Sequence, residues 1–195
     1  MSEQSFHQKI VNQCSSVMFD IKPSNLLILE DMEESILYDT IHRLNLSCHL
    51  FYRGSRTIWF VYRPERLVEY LMDEDVCDFF KEEGYPIDQI SLSTLISLAA
   101  RRFAEHKKGN AEYPHEIGLL LGYPLCDVKG FIENEGNDYL YSGYWKVYAN
   151  ENETRKVFDL YRKVKQHANE LLHAQVPLWE ICRCRSFTIP MEYAG

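Results

Sequence analysis

The spacing of apolar positions along this chain changes period several times, and each change marks a predicted element. Ile10, Val11 and Cys14 give residues 3–16 one apolar side, which predicts a short helix. Ser24 to Glu30 (SNLLILE) is a continuous apolar run, short enough for a buried strand. Glu33 to Leu44 returns to helical spacing through Ile36, Leu37, Ile41 and Leu44. Leu46–Arg53 and Arg56–Arg63 are rich in β-branched and aromatic residues and flank Gly54-Ser55, which predicts a hairpin with a two-residue type II′ loop. Register follows, with Phe51 opposite Ile58, Leu50 opposite Trp59 and His49 opposite Phe60. One face then carries His49, Phe51, Ile58, Phe60 and Tyr62, and the other Cys48, Leu50, Trp59 and Val61. Both faces are largely apolar, so the sheet needs cover on both sides, from helices or from a second copy of the chain.

Pro64 opens a helix to Met72, Asp73 or Asp75 caps another that ends at Gly84, and Asp88 starts a longer one ending at Gly109-Asn110. Tyr113 to Gly136 then reads as two short helices meeting at a tight corner. Pro114 suits a first helical position, Glu116 complements the dipole of that first turn, and Gly122 ends the helix. Pro124 restarts one, with Leu125, Val128, Phe131 and Ile132 as its apolar stripe. Gly143 to Ala149 predicts a last strand, with Tyr144, Lys146 and Tyr148 outward and Trp145 inward. Asn150-x-x-Glu153 resembles a capping box heading a C-terminal helix, which Pro177 limits. The tail, 177–195, shows no pattern that places it.

Together these elements predict an α+β fold. It has a small, mostly antiparallel sheet of about four strands, including the 46–63 hairpin, packed with several helices. A helix-turn-helix-like corner spans 114–136, and the whole of 1–195 forms one domain with a helical insertion at about 64–136 between strands.

Composition adds class. No long uncharged apolar run predicts a membrane span, and the N-terminus lacks a signal-peptide pattern, so a cytoplasmic protein is expected. Six scattered cysteines then read as buried thiols, not a disulfide framework. The net charge of −8 is uneven: residues 1–100 carry 8 basic and 16 acidic side chains, and the rest carries 13 of each. The corner, from Glu105 to Asp138, has three Lys/Arg against seven Asp/Glu, which disfavours nucleic acid as a partner.

Candidate chemistry is sparse. His115-Glu116 begins like a zinc-protease motif, but Leu119 stands where the second histidine belongs. His115 at a helix entrance remains a candidate for anion binding or proton transfer. Cys182-x-Cys184 is too closely spaced for a metal or redox pair, so no metal is predicted, though Arg183 and Arg185 could stabilise a thiolate. Cys14, Cys182 and Cys184 are the candidate reactive thiols. No nucleophile elbow, P-loop or dinucleotide fingerprint is present, so no cofactor is indicated. His115, Glu116, Tyr123, Tyr144, Lys146 and Tyr148 are the candidate contacts for a small ligand or protein partner.

Pro114-His115-Glu116-Ile117-Gly118, Leu121-Gly122-Tyr123-Pro124-Leu125, Asp127-Val128, Gly130-Phe131-Ile132 and Gly143 to Tyr148 (GYWKVY) carry a resemblance to a family of uncharacterised bacterial proteins, a domain of unknown function. Cys14 and Lys22-Pro23-Ser24-Asn25-Leu26 fit the same pattern, so the resemblance spans roughly Cys14 to Tyr161. Ser142 stands where that pattern commonly has cysteine and Cys126 where it has an acidic residue, which argues against family-wide thiol chemistry at 142. The resemblance implies no activity. The residues rank a non-catalytic cytoplasmic binding module first, a thiol- or histidine-dependent enzyme second, and a DNA-binding regulator working through the corner third.

Overall fold

A computed structural model describes residues 2–30 and 34–183. The first helix, α1, spans Glu3–Met18, and Ser2 caps it by accepting the amide of Ser5 at 3.2 Å. It buries Phe6, Ile10, Val11, Cys14, Val17 and Met18, each apolar side chain worth about 1.5–3 kcal/mol of transfer free energy. Strand β1 (Ser24–Leu29) leads into helix α2 (Glu34–Arg43); Glu33, its expected first residue, lies outside the described residues. Strands β2 (Ser47–Arg53) and β3 (Thr57–Tyr62) complete an antiparallel sheet of order β1-β3-β2.

The expected register holds at His49–Phe60 and Leu50–Trp59, then shifts by one residue. Tyr52, not Phe51, pairs with Ile58, and Arg53 pairs with Thr57, so the loop has three residues and Phe51 is bulged. The bulge turns both Phe51 and Tyr52 onto Phe103, each with ring centres 5.6 Å apart. Two aromatic contacts replace the one that a regular ladder would have given.

Both sheet faces are covered by the chain's own helices. On one side Phe51, Phe60 and their neighbours pack against Leu67 and Leu71 of α3 (Pro64–Leu71), Phe79 and Phe80 of α4 (Glu74–Glu82), and Leu95, Ile96 and Phe103 of α5 (Leu92–Lys107). On the other, Leu27, Leu29, Trp59 and Val61 pack against α1 and α2. Asp73 caps α4 as expected, but α5 is capped by Ser91, not opened by Asp88. Asp88 lies in a 3-10 turn, Ile87–Gln89, and pairs with Lys81 at 3.2 Å, while the Ser91 hydroxyl sits where it can accept the amide of Thr94.

The last predicted strand takes a different form. Residues 143–149 do not join the sheet. Instead β4 (Tyr141–Ser142) and β5 (Lys146–Val147) form a separate two-stranded ribbon whose turn is Gly143 to Trp145. The ribbon leads into α8 (Glu151–His173), which lies along α1 and buries Thr154, Phe158, Tyr161, Val164 and Ala168 on one stripe. Asn150 makes no side-chain cap; it adopts a left-handed conformation, φ 50°, at the bend into the helix. After Pro177, helix α9 (Leu178–Ile181) folds back so that Leu178 and Ile181 join the α1–α2 core. Arg43 stacks over Trp179 at 3.6 Å there. Cys184 and the rest of the tail lie outside the described residues.

Candidate functional site

The corner comprises α6 (Ile117–Leu120) and α7 (Leu125–Glu133), joined through Gly122 at φ +71°. Gly118 lets the helices meet: a methyl group there would lie 2.9 Å from Val128 Cγ2. The distant Lys22-Pro23-Ser24 stretch clasps the outside of the bend. Ser24 Oγ donates to Leu120 O at 2.5 Å, and the Pro23 ring rests against Gly122. Leu120, Val128 and Ile117 are buried, but Ile132, expected in the apolar stripe, is exposed.

What holds the ribbon against the corner is Asp127. In the structure its carboxylate is buried, with Oδ2 accepting from Trp145 Nε1 at 2.7 Å. Oδ1 accepts from the backbone amides of Tyr148 and Ala149 at 2.7 and 3.1 Å. Three N–H donors thus satisfy a charge that would otherwise be expensive to bury. Beside it the Tyr148 ring lies on Gly130, where a methyl group would come within 2.5 Å of Tyr148 Cβ.

Corner and ribbon together enclose a cleft of about 340 Å³. Tyr123 from the bend and Trp145 from the ribbon stack there, ring centres 4.8 Å apart at 26°. His115 sits 5.3 Å from the Tyr113 ring and 5.5 Å from Phe131. Buried Leu121 and Val128 form the base, and Lys146 completes the lining. Lys146 Nζ donates to Gly136 O at 2.5 Å and lies over Phe131 and Tyr139, 5.6 and 4.9 Å from their centres. Burial pushes the Tyr123 phenol up to about 12, so its hydroxyl stays protonated.

Of the six predicted contact residues, the structure brings His115, Tyr123 and Lys146 to the cleft and leaves three outside it. Glu116 is buried behind the corner, accepting from Tyr85 Oη at 2.7 Å and pairing with Arg102 at 3.2 Å. Tyr144 packs edge-on against Phe158 and Tyr161 of α8, both 5.2 Å away. Tyr148 lies on α7, its hydroxyl buried with no hydrogen-bond partner among the described residues. The expected Tyr-Lys-Tyr outward stripe therefore does not exist, because residues 143–145 turn instead of alternating. Tyr113, Phe131 and Trp145, which were not singled out as contacts, supply most of the aromatic lining; Phe131 was read as part of an apolar stripe and Trp145 as an inward strand residue.

The thiol candidates fare differently. Cys14 is fully buried beside Lys22, and burial pushes its thiol up to about 12, with Lys22 opposing that shift in part. A thiol so raised is a poor nucleophile. Cys182 is half-buried next to α9, with Sγ 3.6 Å from Trp179 O. The exposed residues of α7 are Cys126, Lys129, Ile132 and Glu133, one cation against one anion, which gives a phosphate no net attraction. Among the described residues no group of three or more His, Cys, Asp or Glu stands together as a metal-binding set, and no helix is long and apolar enough to cross a membrane.

Lys22 makes one property of this region testable. It is buried, donates to Asn25 Oδ1 at 2.9 Å, and lies 5.2 Å from the Tyr123 ring centre. Burial pushes its pKa down to about 8, Cys14 opposing the shift. The unfolded chain therefore binds more protons than the folded one between about pH 8 and 10.5, and stability rises with pH there. Cys14 acts in the opposite sense above pH 9, where the unfolded thiol ionises and the buried one does not. The two leave a rise confined to about pH 8–9, of roughly 1 kcal/mol. Lys22→Met should abolish that rise and stabilise the fold at pH 7; urea unfolding at pH 7, 8 and 9 measures it, and an unchanged slope refutes it.

The fold and the cleft define an α+β protein, a three-stranded antiparallel sheet with helices on both faces and an aromatic site built outside the sheet. A family model described as "protein of unknown function (DUF3793)" matches residues 10–182, and the chain belongs to that family. The match extends beyond both ends of the stretch that carried the resemblance. No curated protein and no solved structure matches the chain.

Proposed function

We propose that this chain is a non-catalytic, cytoplasmic binding module whose cleft between the helical corner and the ribbon takes a small molecule. The observation that carries the reading is the assembly of that cleft. Residues of the corner and of the ribbon, from Tyr113 to Lys146, converge on a concave, largely apolar space rich in aromatic rings and within the usual size range of ligand pockets. Among the described residues no hydrogen bond pairs a nucleophile with a base in its lining, and Asp127, the one carboxylate there, is occupied by three N–H donors and so is poorly placed to act as a base.

The test is a thermal-shift screen of the whole chain against small aromatic and heteroaromatic compounds. A compound present at a hundred times its Kd stabilises the fold by about 2.7 kcal/mol, a readily measured shift. Hits should change Trp145 fluorescence, weaken about tenfold or more in His115→Ala, and be recovered chemically unchanged. Hits indifferent to His115→Ala would place the binding elsewhere, and conversion of a hit would favour the histidine-dependent enzyme.

A further inference from the structure

The two charged side chains in the cleft lining, Lys146 and Asp127, do not pair with each other. Lys146 is half-buried, yet among the described residues no carboxylate lies within ion-pair distance of its ammonium. Its one hydrogen bond goes to a neutral carbonyl, that of Gly136, which leaves two N–H donors uncommitted. Asp127, the one acid among the described residues lining the same space, already receives three N–H donors and makes no ion pair with Lys146. The ring faces of Phe131 and Tyr139 fix the ammonium without neutralising it.

His115 points to the same need. Aromatic contacts to Tyr113 and Phe131 orient its ring, while no hydrogen bond to either ring nitrogen is made among the described residues. Neither nitrogen is a buried unsatisfied atom, so both are reachable from solvent or the cleft. An unpaired cation and an imidazole therefore line a space whose other polar side chains are Asp127, held by its three donors, Ser142 and the Tyr123 and Tyr113 phenols.

Resting on the binding-module reading, we infer that the cleft takes a planar aromatic carboxylate, its ring against the aromatic lining and its acid group on Lys146. A space of about 340 Å³ suits a molecule of one or two fused rings. The carboxylate supplies the counter-charge that Lys146 lacks, through a charge-assisted hydrogen bond, and the His115 N–H is available as a second donor.

The experiment titrates the full chain with naphthoate and with naphthamide, which share a shape and differ in charge, by calorimetry at low salt. Naphthoate should bind at least about tenfold more tightly, a difference of 1.4 kcal/mol. Lys146→Met should remove that preference and leave naphthamide within about threefold, and Lys146→Arg should keep it. Equal affinity for the two probes, or a preference that survives Lys146→Met, overturns the assignment of an anionic ligand while leaving a neutral-ligand cleft standing. Neither probe binding, with no hits in the wider screen, overturns both readings. Lys146→Arg guards against misfolding of the methionine variant: if it loses the preference while still folded, the assignment also fails.

Discussion

Asp127→Ala should destabilise the protein by on the order of 4 kcal/mol, because it strands three donors at once, each orphan costing about 1–3 kcal/mol less whatever water recovers. Those donors are Trp145 Nε1 and the amides of Tyr148 and Ala149, and among the described residues no other side-chain acceptor is bonded to them. A loss of this size is a large part of the 5–15 kcal/mol that ordinary domains possess. Asp127→Asn is the sharper comparison. Its carbonyl can still accept the two backbone amides, but its NH₂ then confronts the indole N–H, donor against donor. We expect an intermediate loss for Asn, and a coupling of at least about 0.5 kcal/mol between Asp127→Asn and Trp145→Phe in a double-mutant cycle. Denaturant unfolding measures all three, and additive effects would show that the carboxylate does not act through the indole.

Gly122→Ala should cost about 3 kcal/mol, for two reasons that add. The residue sits at φ +71°, where a side chain is strained by roughly 1–2 kcal/mol. Its Cβ would also lie 2.6 and 2.7 Å from Cγ and Cδ of Pro23, a ring that cannot rotate away, and such overpacking costs about 1–3 kcal/mol more. Pro23→Ala separates the two: it removes the clash and keeps the strain, so the double variant should recover about half of the loss. If Gly122→Ala unfolds at the same denaturant concentration as the parent chain, the clasp between Pro23 and the corner is not a rigid contact.

Much of the scaffold was legible because it follows from period and punctuation. The helices of 3–18 and 151–173 carry apolar stripes, and Asp73 and Gly122 sit where a cap and a left-handed bend demand them. The bulge at Phe51 was not legible. A two-residue loop and a three-residue loop with a bulge differ by one position, and the bulged form sets Phe51 and Tyr52 against Phe103, a contact some fifty residues away that local pattern does not carry. The ribbon was misread for a related reason: alternation assigns faces only in an extended segment, and Gly143 to Trp145 turn. Of the six candidate contacts, His115, Tyr123 and Lys146 line one cleft. The role of Asp127 could not be read locally, because its partners stand 18 to 22 positions later and a lone acid in a helix carries no mark of what it bonds.

A smaller feature bears on how the molecule behaves in a crowded solution. Along the outer margin of β1, the Gln13 side chain accepts from Ile28 N at 2.9 Å and donates to Ile28 O at 3.3 Å. One amide thereby mimics a residue of an absent neighbouring strand, and the adjoining Asn25 amide donates to the Gln13 carbonyl. An open margin is where strands of other chains add and fibrils begin. Here the protein's own helix occupies that margin at Ile28, where a strand of another copy would otherwise pair.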